Sequence, residues 1–348
     1  MPSIIRACCL LAALVAGVVP ARAAGLSVEQ TTVKAGGRAY HVKVVRVPRD
    51  GYRVKVGLAQ GRVGMTAPLA AIAQRYGAVA AINGCFFDAY TRAPIKSPWH
   101  HLITDGQLVH HGNTGTTLGF DAQGNYRMER LQIRITGTVG SEGGRQQNWY
   151  AYRVNFPLKS SGAMIYNRYW AGGRTPAQGR HVLVRDGVVQ AIGTGARAIP
   201  ADGYALLFAG GEAGLAGRFQ VGQPVRVQVS YGSRDEAFWQ GVQEGIGCGP
   251  RLLAQGAVVY NPTAEGFSSP KVLRISGARS AVGIRRDGTL LLVTTTATVR
   301  QLADVMKALG AYDAMNLDGG ASSGLWVQGR YLTSPGRNLS NALLILKR

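Results

Sequence analysis

The chain reads as an α+β protein: strand-rich mixed or antiparallel sheets with a few packed helices. Three observations predict this. Short apolar stretches alternate with polar residues and are broken by Asp-Gly turns at 105–106, 186–187 and 287–288. Only three stretches carry helical signals: Thr66–Tyr76, Glu236–Gln243 and Thr298–Leu309. Strands and helices do not alternate regularly, which argues against a βαβ fold.

Residues 1–23 have the pattern of a secretory signal. Arg6 supplies the early charge, Cys8–Val19 is apolar, and Ala21-Arg22-Ala23 fits a small-residue cleavage site. The apolar stretch is short for a membrane span, so no stable membrane insertion is expected. The expected product is exported, periplasmic or secreted. Residues 24–58 are expected to form N-terminal strands and 59–348 the main domain.

Tyr40–Val47 and Tyr52–Leu58 alternate as a half-buried hairpin about the turn Pro48-Arg49-Asp50-Gly51. Thr66 can cap a helix that Gly77 ends. Ala78–Ile82 is a buried strand leading into Asn83-Gly84-Cys85-Phe86-Phe87-Asp88. Further strand-turn units follow at 102–134, 181–192 and 281–293. In the last helix, Leu302, Val305, Met306 and Leu309 keep the spacing of one apolar face. Gly310 ends it, and Ala314–Leu317 is a short strand.

The formal net charge is +21, and loss of Arg6 and Arg22 with the signal would leave +19. The basic residues are scattered singly. Phosphate-bearing or acidic glycans suit this charge, whereas nucleic acid does not, because no stacking-aromatic motif accompanies it. Four cysteines are present, of which Cys85 and Cys248 lie outside the signal. They form no CxxC pair, so no metal centre is expected. No cofactor is predicted, and the sequence leaves a divalent cation and the oligomeric state open.

The most informative run is Asn316-Leu317-Asp318-Gly319-Gly320-Ala321-Ser322-Ser323. It sets one carboxylate at a strand end beside backbone that a ligand can approach. Gly319 and Gly320 permit positive φ, and Ser322 and Ser323 supply hydroxyls. An Asx-turn with helix-capping serines fits the same residues.

Read together, these segments resemble the phosphodiester glycosidase family. The resemblance rests on Asn83-Gly84-Cys85-Phe86-Phe87, on Asn155-Phe156-Pro157 with Ile165-Tyr166, and on Gly247-Cys248-Gly249-Pro250. It continues through Arg279-Ser280-Ala281, Asn316–Ser323, and Arg337 to Asn341-Ala342-Leu343. Departures are the cysteines in both glycine motifs, Thr294-Thr295-Thr296 in place of an acidic loop, and a His- and Trp-rich insert at 95–101.

The resemblance implies cleavage of a sugar-1-phosphodiester in envelope or extracellular glycans. Phosphate is an acidic leaving group and needs a cationic clamp more than a proton donor. Asp318, Arg279 and Glu244 are the expected catalytic residues, with Asp318 as the carboxylate at the anomeric carbon. Arg279 and Arg337 would hold phosphate through the guanidinium fork. Glu212 is the other choice for a second carboxylate, and Asp88 a weaker one. Asn83, Gly84, Phe87, Gly319, Gly320, Ser322, Ser323, Arg337 and Asn341 are expected at the substrate. Cys85 and Cys248 stand where the family has glycines, and a disulfide between them is the simplest expectation. The doublets His100-His101 and His110-His111 flank a predicted hairpin. One ring of each could meet across it, although adjacent strand residues face opposite ways. The alternative to an enzyme is a non-catalytic glycan-binding or exopolysaccharide-assembly protein using the same cleft.

Overall fold

A computed structural model describes residues 25–112, 115–141 and 143–348. The segment 1–23, where the signal is expected, lies outside them. The α+β expectation holds, with strands far outnumbering short helices.

Two sheets position the site. The first runs in the order Ser27–Ala35, Arg38–Val47, Leu290–Ala297, Gly277–Ile284, Asp313–Asn316, Arg251–Ala254, Ala257–Val258. The second runs in the order Arg330–Thr333, Leu325–Val327, Ala80–Asn83, Asn341–Lys347, Tyr52–Leu58. Every pairing in both is antiparallel. Val45, Val56, Ile82, Val282, Met315 and Leu343 join in one core between them. A third sheet, with Val242–Cys248 at its centre, adds Leu118 and Ile246 to that core.

Helices cover the outer faces. Val299–Ala308 buries Leu302, Val305 and Met306 against the first sheet, as its apolar spacing requires. Thr298 and Gln301 form a capping box at its start. Leu69–Arg75 packs Leu69 and Ile72 on Ala81 and Leu344 of the second sheet. Thr66 does not cap this helix, because the chain enters it through Pro68. Glu236–Gln240 is shorter than expected and is capped by Asp235.

The predicted hairpin of 40–47 with 52–58 does not form. Both strands exist, but Arg38–Val47 pairs with Leu290–Ala297 and Tyr52–Leu58 pairs with Asn341–Lys347. Val45 and Val47 share their core with Val56 and Leu58. The turn therefore carries the chain from one sheet to the other across a buried layer, with Gly51 at φ 80°. The Asp105-Gly106 and Asp186-Gly187 hairpins do form, with positive φ at both central residues.

The rest of the chain, roughly 131–240, builds a separate apolar cluster around Trp149, Phe208 and Trp239. It includes a 3₁₀ segment, Gly210–Arg218, that the sequence did not signal.

Candidate active site

Strand Asp313–Asn316 delivers Asp318 to a junction of several chain segments. Its N–H donates to Gly84 O at 3.0 Å. Its carbonyl accepts from Asn83 Nδ2 at 2.7 Å. The carboxylate accepts from Gly319 N–H at 2.8 Å and from the Ser322 hydroxyl. Burial pushes the Asp318 carboxyl up to about 6, against the opposing pull of Ser322, Gly319, Arg337 and Arg279. The side chain is only partly buried, so a ligand can reach it.

Asparagines hold this junction from beneath. Asn83 Oδ1 accepts from Gly324 N–H at 3.0 Å while its amide grips Asp318 O. Asn341 Oδ1 accepts from Cys85 N–H at 2.9 Å, and its amide donates to Ser340 Oγ at 2.7 Å. Asn316 donates to Gly249 O at 2.9 Å. Asn83 and Asn341 are therefore buried struts whose amide groups are taken up by neighbouring backbone and, for Asn341, by the Ser340 and Cys85 side chains, not the substrate contacts expected from sequence. Gly84 is required by space: a Cβ there would lie 1.9 Å from Asn341 Oδ1.

The two glycines after Asp318 act differently from one another. Gly320 has φ +61°, as expected. Gly319 has φ −122° and needs no left-handed freedom. Its Cβ would sit 3.0 Å from Ala278 O and 3.1 Å from Arg279 Nη1, so close approach is what demands glycine. Ser322 and Ser323 are buried. Ser323 Oγ has no partner among the described residues and, with Arg279, lines a recess of about 510 Å³.

Arg279 is buried, and its charge acts on Asp318. Its Nε donates to Ala297 O at 3.0 Å and its Nη2 to Lys271 O at 2.7 Å and to Ile275 O. The free-fork grip expected of it is thus corrected, since carbonyls occupy two of its three nitrogens and only Nη1 faces Gly319. Arg337 is half-buried, and its charge also acts on Asp318. Its Nη2 donates to the Tyr90 hydroxyl at 2.8 Å and its guanidinium lies 4.6 Å from the Tyr90 ring centre. Lys271 Nζ approaches the same ring at 5.7 Å. Tyr90 is 77% exposed. Arg337, with Lys271 aiding, holds its phenol below the ordinary tyrosine range. Tyr90 and Lys271 were missed by sequence reasoning. Their one signal is position: Tyr90 follows the Phe86-Phe87-Asp88 loop, and Lys271 follows Pro270 in a polar loop.

Several expected residues are placed elsewhere. Glu244 accepts from Lys55 Nζ at 2.9 Å, Val56 N–H at 2.8 Å and Asp105 N–H at 3.2 Å. It shares no hydrogen-bond partner with Asp318 and is a buried structural ion. Burial alone would lower the Lys55 ammonium, but Asp105 and Glu244 more than reverse this. Glu212 binds the hydroxyls of Tyr150 and Tyr152 on the other cluster. Phe87 belongs to the core under Leu69–Arg75 and not to the substrate surface. Asp88 is exposed beside that loop.

The disulfide expectation is also corrected. Cys85 and Cys248 are free thiols, both buried in the same core. Asn341 Nδ2 donates to Cys85 Sγ at 3.4 Å. Burial pushes the Cys85 thiol up to about 12 and raises Cys248 well above the ordinary thiol value, so neither is a ready nucleophile. The loops do meet, as anticipated, but through apolar packing. Among the described residues no His/Cys/Asp/Glu group of three or more could hold a metal.

Residues 178–346 match the family model described as phosphodiester glycosidase. No curated protein matches the chain. Among solved structures, a hypothetical protein from Synechocystis is 28% identical with a TM-score of 0.78, covering 93% of this chain and 62% of its own. The chain thus spans less than two thirds of that relative. A candidate exported protein from Burkholderia pseudomallei K96243 is 24% identical with a TM-score of 0.71, covering 88% of this chain and 74% of its own. The catalytic domain of zebrafish N-acetylglucosamine-1-phosphodiester alpha-N-acetylglucosaminidase, auto-inhibited by its pro-peptide, shares the fold. It is 14% identical with a TM-score of 0.51, over 94% of this chain and 85% of its own.

Proposed function

On the premise that the chain carries a phosphodiester glycosidase domain, we propose that it hydrolyses a sugar-1-phosphodiester at the Asp318 site. The observation that carries this reading is one partly buried carboxylate on which the charges of two arginines, Arg337 and Arg279, both act.

In this reaction the bond between the anomeric carbon and the phosphate oxygen breaks. Water supplies the new hydroxyl on the sugar, and its proton passes to solvent or to the departing phosphomonoester. Positive charge develops on the sugar ring as negative charge gathers on phosphate. Asp318, ionised, stabilises the first or takes the proton of water. Arg337, Lys271 and the remaining Nη1 of Arg279 stabilise the second. A phosphate leaving group needs no general acid, which fits a site where Glu244 and Glu212 lie apart.

The substrate is an acidic, phosphate-bearing glycan of the envelope or surroundings, and the protein acts after export. The net charge, +21 in full and +19 without Arg6 and Arg22, the signal pattern at 1–23 and the likeness to a candidate exported protein support this. Among the described residues no helix is long and apolar enough to cross a membrane.

The test is incubation of purified protein with the methyl phosphodiesters of N-acetylglucosamine 1-phosphate and glucose 1-phosphate. Release of free sugar and methyl phosphate, lost in Asp318→Asn, is the expected result. A wild-type protein that binds neither diester and releases nothing would overturn the reading.

A further inference from the structure

Beside the Asp318 site lies a chamber of about 720 Å³ that the chemistry above does not use. Its walls are partly aromatic: Phe86, Trp99 and Phe267. Phe86 stands 6.1 Å from Trp99 and 5.9 Å from Phe267 between ring centres. Trp99 is 48% exposed, a large apolar face left open to solvent.

The chamber also holds imidazoles with bonding capacity to spare. His101 is 2% exposed, yet neither ring nitrogen has a partner among the described residues. His111 lies against it with ring centres 5.1 Å apart, and its Nδ1 is likewise unpartnered. One ring from each doublet does meet across the hairpin. A neutral imidazole must carry one N–H and one lone pair, and leaving both unmet in a dry interior is costly. Such an arrangement points to a polar occupant.

The occupant's chemistry follows from the walls. Burial, then neighbouring positive charge, keep both rings neutral, with His111 near 3 and His101 well below the ordinary histidine value. The Arg153 guanidinium lies among the groups whose charge acts on both rings, which opposes a metal ion. Neutral donors and acceptors beside an open aromatic face suit a ring of hydroxyls with an apolar C–H side.

The chamber adjoins the reaction site. Phe86 is two residues from Gly84, whose carbonyl accepts from Asp318 N–H. The short helix Pro270–Leu273 sets Val272 on the chamber and Lys271 over Tyr90.

We infer that this chamber is a subsite for a neutral sugar ring of the substrate, stacked on Trp99 and hydrogen-bonded by His101 and His111. The substrate is then a diester bearing at least one further saccharide unit beside the scissile bond. The inference rests on the proposed hydrolysis for the word substrate, but the sugar site itself does not.

The test is calorimetric titration of the protein with cellobiose, maltose and N,N′-diacetylchitobiose, and separately with inorganic phosphate and Zn²⁺. At least one disaccharide should bind saturably, at least tenfold more weakly to Trp99→Ala and to His101→Leu, and unchanged to Asp318→Asn. Should His101→Leu fail to fold, the exposed Trp99→Ala decides alone. Failure of all three disaccharides overturns the inference, as does disaccharide binding indifferent to Trp99→Ala. Phosphate or zinc binding that depends on His101, with no disaccharide bound, overturns it too. Disaccharide binding in a protein inert toward the diesters would refute the proposed reaction and leave the sugar site standing.

Discussion

Arg337 reaches Tyr90 across 247 positions of sequence, its guanidinium 4.6 Å from the ring centre and its Nη2 2.8 Å from the hydroxyl. The pair holds one cation whose charge acts on Asp318, while Arg279 is buried with most of its donors spent on carbonyls. The two arginines should therefore respond differently to lysine. Arg337→Lys loses the stacking on Tyr90 and the fork available to phosphate at a half-buried position, so turnover of a diester should fall about tenfold or more with little change in melting temperature. Arg279→Lys leaves buried carbonyls unmet, so stability should drop by about 1–3 kcal/mol as activity falls. Denaturant melts beside initial rates separate the two. Equal stability losses would contradict the division of labour.

The raised Asp318 carboxyl gives a pH signature. If the ionised form does the chemistry, turnover should climb as pH passes about 6. A rate that instead falls through that value would assign Asp318 as a proton donor. The same shift predicts stability. A folded carboxyl above its unfolded value binds its proton more tightly when folded. Its contribution is thus most favourable below about pH 4 and is lost as pH rises through about 6. Asp318→Asn should then be more stable than wild type at pH 8, by up to about 3 kcal/mol in denaturant titration, and match it at pH 4.

Glu244 should matter for stability and not for chemistry. Glu244→Gln leaves the buried Lys55 ammonium to Asp105 alone and weakens the acceptor for Val56 N–H, at a cost of about 1–3 kcal/mol. Turnover of the fraction that remains folded should stay within about threefold of wild type. Pairing the change with Lys55→Met should recover much of the loss. A folded Glu244→Gln protein with its rate cut a hundredfold would return Glu244 to the active site.

Cys85 and Cys248 should both alkylate in unfolded, unreduced protein and resist alkylation when folded. Peptide mass spectrometry after iodoacetamide treatment reads both states. A linked peptide pair in the unreduced sample would show that the bridge forms after all.

Much of this protein is legible in its residues, because the relevant signals are local. The spacing of Leu302, Val305 and Met306 sets a helix face, and Asp186-Gly187 sets a tight hairpin, wherever they stand in a fold. The run ending in Asp318 likewise announces a carboxylate on a rigid support. Pairing is not local. The strands 40–47 and 52–58 look like a hairpin, but only the shared core decides that each joins a different sheet. Glu244 and Asp318 are both acids beside glycine-rich turns. Lys55, distant in sequence, makes one a structural ion, while Arg337 and Tyr90 frame the other. Asn83 and Asn341 look like substrate contacts until the backbone groups they satisfy are in place. Sequence sets what each side chain can offer. Burial and partners, which depend on the whole chain closing on itself, decide what it has left to give.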